Sequence, residues 1–196
     1  MSGDQLVLAD RIWPGEGLIR NAALPVLGSV LIVLCARIEI PLTPVPITAQ
    51  TFGVLLVGAL LGSRRGVISL LLYLGFGAMG LPVFAGGASG LARFAGPTAG
   101  YLFGFVAAAA VVGWLCERGW DRRVGTTALA MLFGMAALYS FGTIWLSRFV
   151  GWERVLAVGV LPFIPGDLLK LTLATVALPS GWLLLAGPGG RRIKGN

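Results

Sequence analysis

Long apolar runs with few charged residues constrain this chain more than any other feature of its sequence. A helix needs about 20 predominantly apolar residues to cross the hydrocarbon core of a bilayer. The apolar runs are 18–36, 47–62, 67–80, 98–116, 124–146 and 155–186. Charged residues make up 12% of the chain, compared with about 25% in a typical soluble domain. The sequence therefore predicts an all-α integral membrane protein with a bundle of six transmembrane helices. Residues 1–196 form its one domain, with about 18–187 in the membrane between short polar tails.

The distribution of basic residues predicts the orientation of the bundle, because cytoplasmic loops are enriched in Lys and Arg. With both termini cytoplasmic, ten of the 15 basic residues fall on the inner side: Arg11, Arg20, Arg64, Arg65, Arg118, Arg122, Arg123, Arg191, Arg192 and Lys194. The other five fall on the outer side or within the membrane: Arg37, Arg93, Arg148, Arg154 and Lys170. The segments 41–46, 81–97 and 148–154 are then predicted to be outward-facing loops.

Several classes of function are excluded by what the sequence lacks. The chain contains no histidine, so a Ser-His hydrolase or a His-ligated metal enzyme is impossible. It has no G-x-x-x-x-G-K-[ST] phosphate loop and so cannot by itself use ATP in the usual way. The net charge of +7 is interpreted as membrane topology and not as nucleic-acid binding. Cys35 and Cys116 are predicted near opposite membrane faces, beyond disulfide reach. We expect no enzyme activity, metal or cofactor.

An acid and a base lie three residues apart in the last apolar region. Charged side chains at bilayer depth are costly, and they usually face a cavity or one another. Asp167 and Lys170 can share one helix face at this spacing, directly after Pro165-Gly166, which can break a helix. Helix breaks at membrane depth mark binding sites in transporters. A purely structural alternative is that Asp167 caps a helix and Lys170 is only its ion-pair partner.

Four other residues complete the candidate binding site. Arg93 is the one charge in the glycine-rich segment 81–97, where it could meet an anionic ligand group. Gln50 is a polar amide just after the proline-rich turn, and Tyr101 and Phe84 are candidates for a pocket wall. Together with Asp167 and Lys170, these groups suit a small ligand that has an anionic end and a polar, hydrogen-bonding ring. They do not suit an ion pore, which needs repeated rings of like groups.

Four motifs follow one another along the chain: Thr43-Pro44-Val45-Pro46-Ile47-Thr48-Ala49-Gln50-Thr51, Gly80-Leu81-Pro82-Val83-Phe84-Ala85-Gly86-Gly87, Gly96-Pro97-Thr98-Ala99-Gly100-Tyr101-Leu102, and Pro165-Gly166-Asp167 with Lys170. In these motifs and their order the chain resembles the BioY family, the biotin-binding membrane subunits of energy-coupling-factor (ECF) vitamin transporters. The resemblance extends over about residues 22–185. The resemblance implies a six-helix, multi-pass protein of the bacterial cytoplasmic membrane that captures biotin with high affinity from the outer side.

The resemblance also implies roles for the charged residues. Asp167 is expected to accept the ureido N–H groups of biotin, and Arg93 to pair with the biotin carboxylate. Lys170 is expected to balance Asp167 and to donate to the ureido oxygen or the carboxylate. The roles of Arg93 and Lys170 toward the carboxylate are interchangeable at this stage. An S subunit for another anionic vitamin is an alternative, as is a structural membrane protein in which the Asp-Lys pair only caps a helix.

The resemblance also implies partners, namely a transmembrane coupling protein and two ATP-binding subunits. Related subunits often dock through an Ala-x-x-x-Ala strip on the first helix. This chain departs from that pattern: residues 22–29 read Ala-Ala-Leu-Pro-Val-Leu-Gly-Ser, with Pro25 inside. Some family members occur without recognised energising partners, so self-association is an alternative mode of assembly.

Overall fold

The computed structural model describes residues 6–15 and 17–186, and within them almost all regular structure is helical. The helices are α1 (Leu8–Ile12), α2 (Leu18–Ala36), α3 (Gln50–Ala78), α4 (Ala99–Cys116), α5 (Val124–Val150), α6 (Trp152–Gly159) and α7 (Ile164–Ala186). Two short strands, β1 (Glu39–Ile40) and β2 (Ile47–Thr48), form an antiparallel pair. Short 3₁₀ turns lie at Ala85–Gly87, Leu91–Phe94 and Trp120–Arg122. Arg191, Arg192 and Lys194, which we assigned to the inner side, lie outside the described residues.

Five of the described helices are long and apolar enough to cross a membrane: α2, α3, α4, α5 and α7. The all-α membrane architecture predicted from the apolar runs is thus present. Helix α2 has the same bounds as the first predicted run and continues through Pro25, which is buried inside it. Cys35 and Cys116, at the ends of α2 and α4, are both buried and unpaired.

Helix α3 folds back on itself at Gly62. This residue has φ 83° and ψ 175°, far from helical values. The Gln50 side-chain amide lies 2.5 Å from the Tyr73 hydroxyl, 23 residues later. In a straight helix these residues would be about 35 Å apart along the axis. The second and third predicted runs are therefore two arms of one hairpin, 50–61 and 63–78, with Gly62 at the reversal.

Close helix packing holds the bundle together. Helix α3 packs between α2 and α4, and α4 packs against α5, which also contacts α6 and α7. Small residues permit these approaches in an apolar solvent. A Cβ atom added at Gly58 would lie 2.7 Å from the Ala109 carbonyl oxygen, and one at Gly104 would lie 2.7 Å from that of Leu138. The two pairs bring α3 and α5 against opposite sides of α4.

The N-terminal segment is more ordered than the polar tail that we expected. Residues Val7, Leu8 and Ala9 are buried against the bundle. Asp10 accepts hydrogen bonds from Arg20 at 2.5 Å and from Arg65 at 2.7 Å. Apolar contacts and this shared carboxylate therefore attach α1 to α2 and to the hairpin of α3.

The prediction of an outer loop at residues 148–154 is wrong in detail. Helix α5 continues to Val150 and α6 begins at Trp152, so the connection is Gly151 alone, with φ 78°. Glycine adopts this positive φ without a Cβ clash, so one residue suffices to redirect the chain. Charged residues Arg148, Glu153 and Arg154 are exposed on the two helices, which is why their run resembled a loop.

Candidate functional site

A cavity of about 340 Å³ lies at the end of the bundle where the β1–β2 hairpin, the 81–97 segment and the starts of α3 and α4 meet. Ligand pockets for small molecules measure about 300–1,000 Å³. The cavity is lined by Glu39, Pro41, Leu42, Thr43, Pro44, Val45, Pro46, Thr48, Gln50, Thr51, Tyr73, Phe84, Ala85, Arg93, Thr98, Tyr101, Leu102, Phe105, Leu138, Tyr139 and Phe163. The proline-rich segment 41–46, which joins the two strands, forms one wall.

The cavity walls are strongly aromatic. Tyr73 packs edge-on against Phe84, with ring centroids 5.4 Å apart. Tyr101 and Tyr139 form a second edge-on pair at 6.4 Å, and Tyr139 also contacts Phe163 at 6.5 Å. Such pairs stabilise ring orientations beyond simple burial. The side of the cavity formed by α3, α4 and α5 is therefore a fixed aromatic surface that suits a compact, partly apolar ring.

Four of the six residues predicted for the site line this cavity: Gln50, Phe84, Arg93 and Tyr101. The Gln50 amide is held on both sides, since its oxygen accepts from the Thr48 hydroxyl at 3.1 Å and its nitrogen donates to Tyr73. The Tyr101 hydroxyl donates to the Gly159 carbonyl at 2.8 Å. These bonds fix Gln50 and Tyr101 in place, and the amide nitrogen of Gln50 keeps one N–H not used by Tyr73.

Arg93 lies at the exposed side of the cavity on the short 3₁₀ turn Leu91–Phe94. Its guanidinium makes no hydrogen bond or ion pair with any residue in the described part of the chain. Glu39, half-buried at the end of the hairpin, also lines the cavity. Arg93 therefore offers its N–H groups to whatever enters, in the fork geometry that suits a carboxylate.

The other two predicted residues, Asp167 and Lys170, lie behind the cavity wall. Asp167 is only 1% exposed and accepts a hydrogen bond from the Tyr139 hydroxyl. Lys170 donates to Asp167 at 2.9 Å and to the Thr48 carbonyl oxygen at 2.8 Å. The acid-base pair on α7 thus reaches the cavity through two lining residues, Tyr139 on α5 and Thr48 on β2.

This arrangement determines what Tyr139 presents to the cavity. Its only proton is donated to Asp167, so the remaining lone pairs of its oxygen can only accept. The negative charge of Asp167 behind it strengthens that acceptor, because a hydrogen bond to a charged group polarises the hydroxyl. The buried end of the cavity therefore favours a ligand with N–H or O–H donors.

Sequence reasoning missed Tyr139, Tyr73, Thr48, Phe163 and Glu39 as lining residues. Tyr139 had one available signal, since a tyrosine in a long apolar helix needs a partner for its hydroxyl, and Asp167 is an acceptor at depth. No spacing rule connects residues on two different helices, so the pairing itself requires the structure.

Comparison with known proteins decides the family. The sequence model of the BioY family matches residues 7–187, nearly the whole chain. The chain belongs to the BioY family. The biotin transporter BioY of Rhizobium etli is 42% identical over 168 residues, which is 80% of this chain and 90% of the relative. The probable biotin transporter BioY of Pyrococcus horikoshii is 41% identical over 141 residues, covering 72% of this chain and 83% of that protein.

A solved structure agrees with the family at the level of the fold. The 2.1 Å crystal structure of the S-component for biotin from an ECF-type ABC transporter matches this BioY-family chain with a TM-score of 0.71. The match has 29% sequence identity and covers 83% of this chain and 90% of that one. The chain is therefore a multi-pass membrane protein with the fold of an S-component.

Proposed function

We propose that this BioY-family chain captures biotin for uptake across the bacterial cytoplasmic membrane, as the substrate-specific S subunit of an ECF transporter. The chain is a transporter subunit and not an enzyme, as are the relatives by their names. The observation that carries the proposal is the cavity itself. At its exposed side lies the guanidinium of Arg93, which has no partner among the residues that the structure describes. At its buried side lies an acceptor backed by a buried carboxylate, Tyr139 with Asp167.

The chemistry of biotin matches these two ends. Its bicyclic ring carries a ureido group with two N–H donors and one carbonyl acceptor, and a short aliphatic chain ends in a carboxylate. We place the ring against the aromatic wall, with a ureido N–H donating to Tyr139 and with Asp167 supporting the tyrosine from behind. The carboxylate pairs with Arg93. The Lys170 ammonium already has two protein acceptors, which supports Arg93 over Lys170 as the partner of the carboxylate.

The membrane topology of the proposal is six crossings with both termini cytoplasmic. The two arms of α3 supply two of these crossings, since the chain reverses at Gly62. The cavity and the exposed Arg93 then face outward, and the loop that holds Arg118, Arg122 and Arg123 faces the cytoplasm. The whole chain forms a single domain in this proposal. A transmembrane coupling protein and ATP-binding subunits are the proposed partners, because the sequence has no phosphate loop of its own.

Isothermal titration of the purified, biotin-stripped protein with biotin, thiamine and riboflavin tests the proposal. We expect tight, saturable binding of biotin alone, because thiamine is cationic and would meet Arg93. Absence of heat with all three vitamins, from a monodisperse sample, would leave the Asp167–Lys170 pair with a structural role only. Binding of a different vitamin would retain the fold and overturn the substrate.

A further inference from the structure

A second charged surface lies at the opposite end of the bundle from the cavity. The segment 117–123 links α4 to α5 and contains three arginines and two acids. We propose that its arginines, Arg118, Arg122 and Arg123, bind the phosphodiester headgroup of an anionic phospholipid of the surrounding bilayer. This inference does not depend on the identity of the transported ligand.

In this segment the two acidic side chains turn into the protein, whereas the arginines lie on its surface. The Glu117 carboxylate turns inward and accepts from the Ser63 backbone N–H at 2.7 Å and from the Ser63 hydroxyl at 2.9 Å. Asp121 is 0% exposed and accepts from the Trp182 indole N–H at 2.6 Å. Both acids therefore accept their hydrogen bonds inside the protein and form no ion pair with the arginines on the surface.

The three arginines, in contrast, are exposed. No carboxylate within the described residues lies at ion-pair distance from any of them. The pairs that the structure does contain among those residues involve Arg20, Arg65 and Lys170. A surface with cations only, next to a bilayer, attracts anionic lipids, and each such residue contributes about 1 kcal/mol near an anionic membrane surface.

Two of the arginines make cation–π contacts with tryptophan rings. The Arg118 guanidinium lies 3.5 Å from the centroid of the Trp114 ring and also donates to the Trp114 carbonyl oxygen at 2.8 Å. The Arg122 guanidinium lies 4.9 Å from the Trp182 ring. A contact with a neutral ring leaves the positive charge of the guanidinium uncompensated. Each guanidinium has five N–H donors, so donors remain for the oxygens of a phosphate.

The position of these tryptophans favours a lipid headgroup over an acidic protein as the binding partner of the arginines. Trp114 lies in the last turn of α4 and is 49% exposed, and Trp182 lies near the end of α7. Both helices are membrane-spanning candidates. Tryptophans at helix ends sit at headgroup level in a bilayer, so the guanidiniums stacked on them lie at the depth of the lipid phosphates. The Arg122 side chain also folds back over Gly119, the residue that follows Arg118 in the chain.

Native mass spectrometry of the full-length protein in detergent, titrated with phosphatidylglycerol or phosphatidylcholine, tests the proposal. We expect the wild type to prefer phosphatidylglycerol. The Arg118→Gln/Arg122→Gln variant should lose about 25-fold in affinity for it, from about fivefold per arginine. Its affinity for phosphatidylcholine should not change. The matched control is Arg148→Gln/Arg154→Gln, which removes two exposed arginines at the cavity end and should keep the preference.

Other outcomes would overturn the proposal. Equal binding of both lipids by the wild type would leave the patch free for an acidic protein partner, and equal losses in the two double variants would indicate a diffuse charge effect. Displacement of phosphatidylglycerol by inorganic phosphate in large excess would assign the patch to free phosphate. If the double variant aggregates, Arg123→Gln is tested instead. The Arg123 side chain makes no cation–π contact with an aromatic ring among the described residues, so its loss removes no such contact. This variant should lose about fivefold, and an unchanged affinity would contradict the proposal.

Discussion

Arg93 is the residue whose role can be tested most selectively, because only one functional group of the proposed ligand should meet it. Replacing Arg93 with Gln should weaken biotin binding at least tenfold, as expected for loss of a charge-assisted pair worth about 1.5–3 kcal/mol. Biotinamide, which lacks the carboxylate, should bind wild type and variant nearly equally. Titration calorimetry with both ligands gives the comparison.

A matched control for Arg93 is Arg148→Gln, which removes another exposed arginine near the same end of the bundle. It should leave both affinities unchanged, since the Arg148 guanidinium lies over the Trp145 ring and does not line the cavity. Equal losses of biotin and biotinamide in the Arg93 variant would place the carboxylate elsewhere.

Tyr139 and Asp167 should act as one unit toward the ligand. Tyr139→Phe removes the acceptor that lines the cavity, and Asp167→Asn removes the charge behind it. Each change should weaken biotin binding by about 10- to 100-fold, corresponding to about 1.4–2.8 kcal/mol. Residues in one hydrogen-bond network are not additive, so the double variant should cost little more than Asp167→Asn alone.

A double-mutant cycle in affinity checks this coupling. Full additivity of the two losses would show that the ligand contacts Asp167 and Tyr139 independently. Tyr101→Phe is the control within the same wall, because its hydroxyl bonds to Gly159 and not to Asp167. It should show no coupling to Asp167→Asn.

At this scale the sequence predicted the charged residues better than their contacts. A charge at bilayer depth is expensive, so Asp167 and Lys170 were conspicuous within their apolar run, and Arg93 was conspicuous as the one charge in the segment 81–97. Which of them faces the cavity depends on how α5, α7 and the β hairpin pack. The structure places Arg93 in the lining and puts Tyr139 and Thr48 between the other two and the cavity.

The reversal of α3 gives a prediction at the scale of elements. Gly62 has φ 83°, and a Cβ there would lie 2.6 Å from a carboxylate oxygen of Glu117. Gly62→Ala should therefore cost about 2 kcal/mol in the free energy of unfolding, from the strained backbone and the displaced Glu117. Gly75→Ala, at an open helical position of the same element, should be neutral or slightly stabilising.

Thermal unfolding in detergent measures both glycine variants. At this size about 2 kcal/mol corresponds to a fall of roughly 4–8 °C in Tm, which Gly75→Ala should not show. A Gly62→Ala variant as stable as the wild type would mean that the reversal does not depend on this residue.

The attachment of α1 should depend on pH. Burial alone would raise the pKa of Asp10, but the hydrogen bonds from Arg20 and Arg65 outweigh it and hold the pKa below its ordinary 3.8. The ionised carboxylate is therefore the stabilising form. Its contribution is complete above the ordinary pKa and is lost as the pH falls through the lower folded-state value.

Asp10→Asn should consequently lower the Tm at pH 7, where its loss corresponds to about 1–2 kcal/mol. The difference between wild type and variant should shrink toward pH 3. Arg11→Gln is the control, because Arg11 forms no ion pair within the described part of the chain. A difference in Tm that stays constant from pH 7 to pH 3 would contradict the role of the Asp10 charge.

The helices were predictable from the sequence where the apolar runs are long. The turns and the short strands between them were harder to predict. The bounds of α2 follow directly from the run Leu18–Ala36. The reversal in α3 was expected at 63–66, yet it occurs at Gly62, because glycine adopts the required φ and Ser63 through Gly66 can then continue as helix. The β1–β2 pair was missed, since two-residue strands flanking a proline-rich segment leave no periodicity to detect.

At the scale of the whole molecule, the cavity end of the bundle and the end that carries the segment 117–123 should lie on opposite sides of the membrane. In a variant with Cys35 and Cys116 replaced by alanine, single cysteines at Leu42 or Leu91 should react with an impermeant maleimide from outside the cell. Cysteines at Arg64 or Arg123 should react only after the membrane is opened. All four native residues are exposed, so access across the membrane decides the result.

Labelling of the cysteines at positions 42 and 64 from the same side would contradict the proposal that each arm of α3 crosses the membrane. Labelling of all four positions in the reversed sense would retain the hairpin but invert the orientation predicted from the basic residues. The number of crossings and their direction are thus separable in one experiment.

The aromatic lining of the cavity has a practical consequence for spectroscopy. The protein contains three tyrosines, and Tyr73, Tyr101 and Tyr139 all line the cavity, whereas none of the six tryptophans does. Biosynthetic incorporation of 3-fluorotyrosine would therefore give a ¹⁹F NMR spectrum in which every resonance originates at the ligand site. Occupancy and exchange could be followed there in intact lipid particles without any background signal from the rest of the chain.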